Sequence, residues 1–286
     1  MARRPSLTPR GGVAVITGAA SGIGAALAEV LARRGMDLAL VDVDADGLER
    51  SAGRARAAGV TASTHAHDLA QAAAAAALPG EVVAVHGRAT VLVNNAGVAL
   101  GGLFEQLSSA DFDWLMSINF GAAVRLTRAF LPLLARESVA QVVNVSSIFG
   151  IIAPPGQSAY SASKFALRGF SEALRHELEM TGSTVGVTVV LPGGVRTGIA
   201  DHARLAAGLD PAQVAHERAN WKRLLALDPA VAAERIARAI ERRDARVLVG
   251  RDAVAAAWLQ RLLPVGYWKL VARDIERRTQ ALDTHG

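Results

Sequence analysis

Tyr160 and Lys164 stand four residues apart in the run Tyr160-Ser161-Ala162-Ser163-Lys164. On a helix that spacing makes them neighbours on one face. A phenol ordinarily keeps its proton up to a pH near 10, and an ammonium several ångströms away favours the phenolate. A tyrosine so placed can act as general base or general acid. Upstream, Ser146-Ser147 follows a β-branched run, where a hydroxyl at a strand end can orient and polarise a substrate oxygen. Strand alternation sends the two hydroxyls to opposite sides, so only one of them faces the tyrosine. Singly, a serine there is ordinarily a turn or cap residue, and a Tyr–Lys pair at helical spacing is common on surfaces.

A second chemical feature lies near the start of the chain, where Thr17-Gly18-Ala19-Ala20-Ser21-Gly22-Ile23-Gly24 follows the apolar run Val13–Ile16 and leads into a helical pattern. Glycines there allow the backbone to turn tightly and approach a pyrophosphate, while the helix start offers unpaired N–H groups and partial positive charge. The place of the motif, between a buried strand and an amphipathic helix, gives it weight that the glycines alone lack. Asp42 closes the second apolar run. A carboxylate at that point accepts hydrogen bonds from the adenosine ribose and repels a 2′-phosphate. With no arginine in Asp42–Ala45, the spacing favours NAD over NADP, against the plainer reading of Asp42 as a turn residue beside Asp44 and Asp46.

These residues need a scaffold. Short β-branched or leucine-rich runs alternate with helical segments, the pattern of βαβ units around a parallel sheet buried on both faces. Strands are predicted at Val13–Ile16, Leu38–Val43, Val91–Val93, Val142–Val145, Val185–Leu191 and Val247–Val249, with a further one near Val60–His67. Seven strands joined by helical crossovers predict an α/β, Rossmann-type doubly wound parallel sheet. The first helix is expected from Gly22 to Gly35, a glycine suited to the left-handed turn that ends helices. Residues 1–11 read as a flexible leader and 12–250 as one domain. Segments 198–227 and 251–286 break the alternation.

Composition sets limits. A chain of 286 residues with 51% hydrophobic side chains can bury one large core. The lack of cysteine excludes disulfides, thiolate metal sites and a cysteine nucleophile, and suits a cytoplasmic setting. No apolar stretch approaches the roughly 18 residues of a membrane-spanning helix. Although the net charge is +5, basic and acidic residues alternate, which argues against a nucleic-acid partner. His65 and His67 share a strand face without a third ligand in view, so an alternating surface strand is preferred to a metal site and no metal is expected. His202 and His216 are left as solvated loop residues or substrate contacts.

Together with Asn94-Asn95-Ala96-Gly97, Asn119 and Pro192-Gly193-Gly194-Val195-Arg196-Thr197, the glycine loop, the serine pair and Tyr160–Lys164 form six motifs in one order. In that order the chain resembles the short-chain dehydrogenase/reductase family, in its standard, non-extended branch. The resemblance implies an oxidoreductase in which Tyr160 is the general acid/base, Lys164 supports it and Ser147, selected over Ser146 by its spacing from the tyrosine, holds the substrate oxygen. Asn119 would hold a water linking Lys164 to solvent. Gly18, Ser21, Gly22, Ile23 and Gly24 would bind the cofactor pyrophosphate, and Asp68-Leu69, at the end of the third strand, its adenine. Asn95, Ala96 and Gly97 would pack along it. Val195 and Thr197 would meet the nicotinamide carboxamide after the turn at Pro192 and Gly193.

Segment 198–227 is expected as a helical lid in which Ile199, Leu205, Leu209, Trp221 and Leu224 shape an apolar pocket, hence a hydrophobic secondary alcohol or ketone as substrate. The tail 251–286, rich in Trp258, Leu262, Tyr267 and Trp268, extends beyond compact members of the family. Three roles stay open for it: packing on the body, a subunit contact, or weak peripheral association with a membrane surface. A homodimer through the helices carrying Asn119 and Tyr160 is the expected assembly, with a tetramer the alternative.

Overall fold

The computed structural model describes residues 5–206 and 224–273, together with Ala215 and Ala219. Along the chain the elements are β1 (Val13–Thr17), α1 (Gly22–Arg33), β2 (Asp37–Asp42), α2 (Ala45–Ala57), β3 (Ala62–Ala66), α3 (Ala72–His86), β4 (Val91–Asn94), β5 (Leu100–Gly101), α4 (Ser109–Met116), a π-helical turn (Ser117–Ala122) and α5 (Ala123–Leu134). There follow β6 (Ala140–Val145), α6 (Ser158–Met180), β7 (Val185–Pro192), β8 (Arg204–Leu205), α7 (Pro229–Arg242), β9 (Arg246–Val249) and α8 (Arg251–Leu262).

Every residue of β1, β6 and β7 is buried, which is why their β-branched residues do not alternate with exposed polar ones; β6 also buries Gln141 and Asn144. The main sheet has seven strands in the order β3-β2-β1-β4-β6-β7-β9, and all neighbours run parallel. One core joins Ile16, Leu38 and Leu40 of the sheet to Leu27, Leu31, Leu48, Ile236 and Ile240 of α1, α2 and α7. A second core, on the opposite face, joins Val15, Val41, Leu92 and Val142 to Leu78 and Val82 of α3 and Leu126, Phe130 and Leu134 of α5. Each such side chain removed from water contributes about 2 kcal/mol before the entropy of ordering it.

The fold is the Rossmann-type α/β sheet expected. Winding reverses between β1 and β4, and in open sheets of this kind ligands lie at the carboxyl ends of the strands on either side of the reversal. Thr17, Asp42, Asn94, Val145 and Pro192 are those strand ends.

Several features depart from expectation. Within the leader, Leu7 lies in the core and its amide donates to the Glu241 carbonyl at 2.9 Å. His65 is buried against α3, where Glu81 accepts from it, and is not a surface residue. Among the described residues no group of three or more potential ligands is placed to hold a metal. In the lid segment, Arg204–Leu205 forms a strand that pairs in parallel with Leu100–Gly101, where a helix was expected. A two-residue pairing leaves no periodicity to read. Leu209, His216 and Trp221 lie outside the described residues. Among the described residues no helix is long and apolar enough to cross a membrane.

Candidate active site

The glycine loop is shaped by contacts that only glycine permits. At Gly18, φ is +66°, and a Cβ would lie 2.9 Å from Ala96 Cα. At Gly24 it would lie 2.0 Å from the Gly18 carbonyl oxygen. Ser21 caps α1 from an extended conformation without a side-chain cap bond, so the first-turn N–H groups of Gly22, Ile23 and Gly24 have no partner inside the helix. This is a concave backbone surface suited to an anion. Asn95 fastens it from β4: its Nδ2 donates to the Thr17 carbonyl at 2.9 Å and the Gly18 carbonyl at 3.2 Å. The Thr17 hydroxyl accepts from the Asn95 and Ala96 amides, both at 2.9 Å.

Asp42 projects from the end of β2 and ties the same loop down, Oδ2 accepting from the Ala20 amide at 3.0 Å while Oδ1 accepts from Val43 at 2.8 Å. Asp68 and Leu69 sit in the turn after β3 instead of at its end. Leu69 is buried, and its carbonyl accepts from Arg125 on α5 at 2.8 Å. Arg125 also reaches the Ser117 carbonyl at 3.1 Å, linking that turn to the π-helical segment.

The reactive-type side chains meet at the ends of β4 and β6. Tyr160 is in the first turn of α6, hydrogen-bonded to the Ser147 hydroxyl, which also accepts from the Phe149 amide at 3.1 Å. The alternative serine is differently occupied: buried Ser146 donates to the Lys164 carbonyl at 2.8 Å. Of the two serines, Ser147 is the one in contact with the phenol. Gly150 makes this possible, because a Cβ there would lie 2.5 Å from Ser146 Oγ and 2.9 Å from the Lys164 carbonyl oxygen.

One turn on, Lys164 Nζ lies 5.6 Å from the Tyr160 ring centre and donates to the Val145 carbonyl at 3.2 Å. Asn119, 1% exposed, is held in the π-helical turn. Its Oδ1 accepts from the Val98 amide at 2.8 Å, and its Nδ2 donates to the Val98 carbonyl at 3.0 Å and Ser163 Oγ at 3.2 Å. Lys164 Nζ and Asn119 Oδ1 each lie 3.3 Å from the position a Cβ on Gly97 would take. Gly97 is thus the point where lysine, asparagine and the β4 loop converge.

Electrostatics differ from the simple expectation. Burial pushes the Tyr160 phenol up to about 12, the Ser147 hydrogen bond opposing this, and burial pushes the Lys164 ammonium down to about 8. Desolvation outweighs the attraction expected between phenolate and ammonium. For Lys164 the shift corresponds to about 3 kcal/mol against the buried cation, and among the described residues no carboxylate pairs with it. A lysine held at that cost contributes nothing to stability by its charge.

Beyond β7, Pro192 ends the strand and the next amides are all engaged: Gly193 to the Val249 carbonyl at 2.8 Å, Gly194 to Asp252 Oδ2 at 2.7 Å, Val195 to the Gly193 carbonyl at 3.0 Å and Arg196 to the Leu227 carbonyl at 2.8 Å. Thr197 packs its methyl group against Gly22, where a Cβ would be 3.0 Å away. The β7 loop therefore touches the glycine loop at the strand ends.

The short chain dehydrogenase family profile matches residues 12–207. The chain belongs to that family. It is an oxidoreductase of the short-chain dehydrogenase group and is 41% identical over 268 residues to SadH of Mycobacterium tuberculosis, a protein named as an oxidoreductase, covering 93% of this chain and 96% of the relative. A crystal structure of a short-chain dehydrogenase/reductase from Burkholderia phymatum, in complex with NAD, superposes with a TM-score of 0.84 at 32% identity, over 90% of this chain and 95% of that one. A metagenomic short-chain oxidoreductase in complex with NADP gives 0.68 at 32% identity, over 84% and 97%.

Some residues that shape the candidate site carry little sequence signal. Thr17 was read only as part of the loop, and Gly150, Arg125 and Asp252 carry no local signal, because each works through a partner distant in the chain.

Proposed function

We propose that the protein is an NAD(H)-dependent dehydrogenase that interconverts a hydrophobic secondary alcohol and its ketone, with Tyr160 as the acid/base. The observation that carries the reading is the chain of contacts from Ser147 to Tyr160, from Tyr160 to Lys164, and from Lys164 to Asn119 beside Gly97. Gly18, Ser21, Gly22, Ile23 and Gly24 would hold the pyrophosphate, Asp42 the ribose, Asp68 and Leu69 the adenine, and Asn95, Ala96 and Gly97 the length of the cofactor. Pro192, Gly193, Val195 and Thr197 would place the nicotinamide end. NAD is preferred to NADP because the Asp42 carboxylate opposes a 2′-phosphate and the exposed residue after it is Val43 rather than a cation.

When bound, the nicotinamide supplies or accepts the hydride. The chain's own groups manage the proton. With its phenol near 12, Tyr160 keeps the proton on Oη throughout neutral pH and can release it to a ketone oxygen that gains charge. Ser147 gives that oxygen a second hydrogen bond. Lys164, still mainly an ammonium at pH 7, stabilises the phenolate that Tyr160 becomes. Asn119 Oδ1, facing Gly97 as Lys164 Nζ does, keeps a lone pair for a water that would return the proton from solvent. In alcohol oxidation the proton moves the other way.

Two apolar clusters flank Tyr160: Val98, Leu100, Leu107, Phe112 and Trp114 on one side, Ile148, Phe149 and Ile152 on the other. They support a hydrophobic substrate body. The test is dinucleotide reduction with a panel of hydrophobic secondary alcohols, run with NAD and with NADP. NAD-linked turnover is expected. Binding of NAD without turnover of any alcohol or ketone would leave a dinucleotide-binding protein and remove the enzyme reading.

A further inference from the structure

Two side chains from the segment after the last strand reach the β7 loop and the loop that follows Ser147. Asp252, in the first turn of α8, turns its carboxylate onto the β7 loop, where Oδ2 accepts from the Gly194 amide at 2.7 Å. The fit is made by glycines: a Cβ on Gly193 would lie 2.1 Å from Oδ2, and one on Gly250 2.3 Å from Oδ1. Of the four consecutive amides from Gly193 to Arg196, Gly194 is the one bonded to a side chain. Further on, the Tyr267 hydroxyl accepts from the Ala153 amide at 2.9 Å, and its ring packs with Ile148, Phe149, Ile151 and Ile152. That is the loop which starts at Ser147.

We propose that Asp252 and Tyr267 are positioning residues, and that residues 251–267 form a two-point brace holding the β7 loop and the Ser147 loop at their working separation. The inference rests on the dinucleotide reading above, because that reading gives the β7 loop its nicotinamide-placing role. The brace closes across strands already paired: β7 and β9 are joined by their own register, Val189 with Arg246 through Pro192 with Val249. Its loss should therefore act on binding more than on folding. Asp252 fixes the amide beside Val195 and Thr197, so it governs dinucleotide affinity. Tyr267 fixes the backbone beyond Ser147, so it governs the substrate.

The experiment uses the full chain and four proteins: wild type, Asp252→Ala, Asp252→Asn and Tyr267→Phe. NADH affinity is read directly by fluorescence titration, kcat and KM by ketone reduction, and Tm by thermal unfolding. Loss of a hydrogen bond to a charged acceptor predicts about a tenfold weaker NADH affinity for Asp252→Ala, with Tm within about 3 °C of wild type. Asparagine, whose carbonyl oxygen can accept from Gly194, should restore affinity to within about threefold. Tyr267→Phe should raise KM for the ketone about threefold to tenfold while leaving NADH affinity unchanged. Wild-type affinity in Asp252→Ala, or an Asp252→Asn chain as impaired as the alanine chain, overturns the proposal. An Asp252→Ala chain that no longer folds does so too, since the residue would then be structural. If wild type binds no dinucleotide, the reading of the whole site fails; if it binds and the variants do not differ, only the brace fails.

Discussion

On the side of β1, β2 and β4 the site is fastened by backbone and by short polar side chains between adjacent strands: the Gly18 turn, the Asn95 amide across two carbonyls, and the Thr17 hydroxyl beneath two amides. Beyond Pro192 the fastenings are side chains from later segments that reach back onto earlier ones. Asp252 reaches Gly194, 58 residues away, Tyr267 reaches Ala153, 114 residues away, and Arg204 reaches Asp111, 93 residues away. Arg204 also stacks on the Trp114 ring, its guanidinium 3.6 Å from the ring centre. The contrast separates two tasks. A rigid backbone cradle suits a cofactor whose phosphates and ribose do not vary, whereas side-chain clasps permit loops to be retuned around different substrates.

The comparison can be broken from either side. The largest effect is expected at the boundary, from Lys164→Met, which should lower kcat for ketone reduction by about 10²–10³-fold, in the range of acid–base support. Because the buried ammonium opposes folding, the same variant should raise stability by about 1–2 kcal/mol in denaturant unfolding. A variant that is both active and less stable would mean that Lys164 is structural. The same cause gives a pH signature. A lysine whose folded pKa lies below its unfolded value opposes folding most while both states are protonated, so stability should rise as pH climbs from about 8 toward 10.5, the opposite of a salt-bridged lysine.

On the cradle side, Asp42→Asn keeps an acceptor for the Ala20 amide but removes the charge. Its preference for NAD over NADP should narrow about tenfold, read as the ratio of kcat/KM values; an unchanged ratio would place cofactor choice elsewhere. The smallest effect is expected on the far side. Arg204→Ala removes the stacking and the ion pair that hold β8 on β5 and α4, so KM for the ketone should rise about threefold, with NADH affinity unaltered. Equal loss in both would erase the distinction between the two sides.

The same contrast explains what the sequence disclosed. The strands β1 and β7, buried on both faces, left largely apolar runs, as did the Val142–Val143 centre of β6, and the Gly18–Gly24 loop, Asp42 and the Tyr160–Lys164 pair are patterns of near neighbours. Strand alternation alone leaves Ser146 and Ser147 open, and the family's spacing favours Ser147; in the structure Ser146 donates to the Lys164 carbonyl. The β5–β8 pairing was invisible because each strand has two residues. Leu7 looked like part of a flexible leader because its core contacts are with residues far along the chain. Helix spacing likewise reveals the ammonium near Tyr160 but not the burial that pushes its phenol up.

Central to all of this is the proton on Tyr160. The most direct measurement compares wild type with Tyr160→Phe for NADH oxidation by a hydrophobic ketone, alongside NADH affinity measured by fluorescence. Phenylalanine keeps the ring that packs edge-on against Phe149 and removes only the hydroxyl. Turnover should fall by about 10³-fold or more while NADH affinity stays within about twofold. A Tyr160→Phe enzyme that reduces the ketone at close to the wild-type rate would contradict the assignment of the proton to Tyr160.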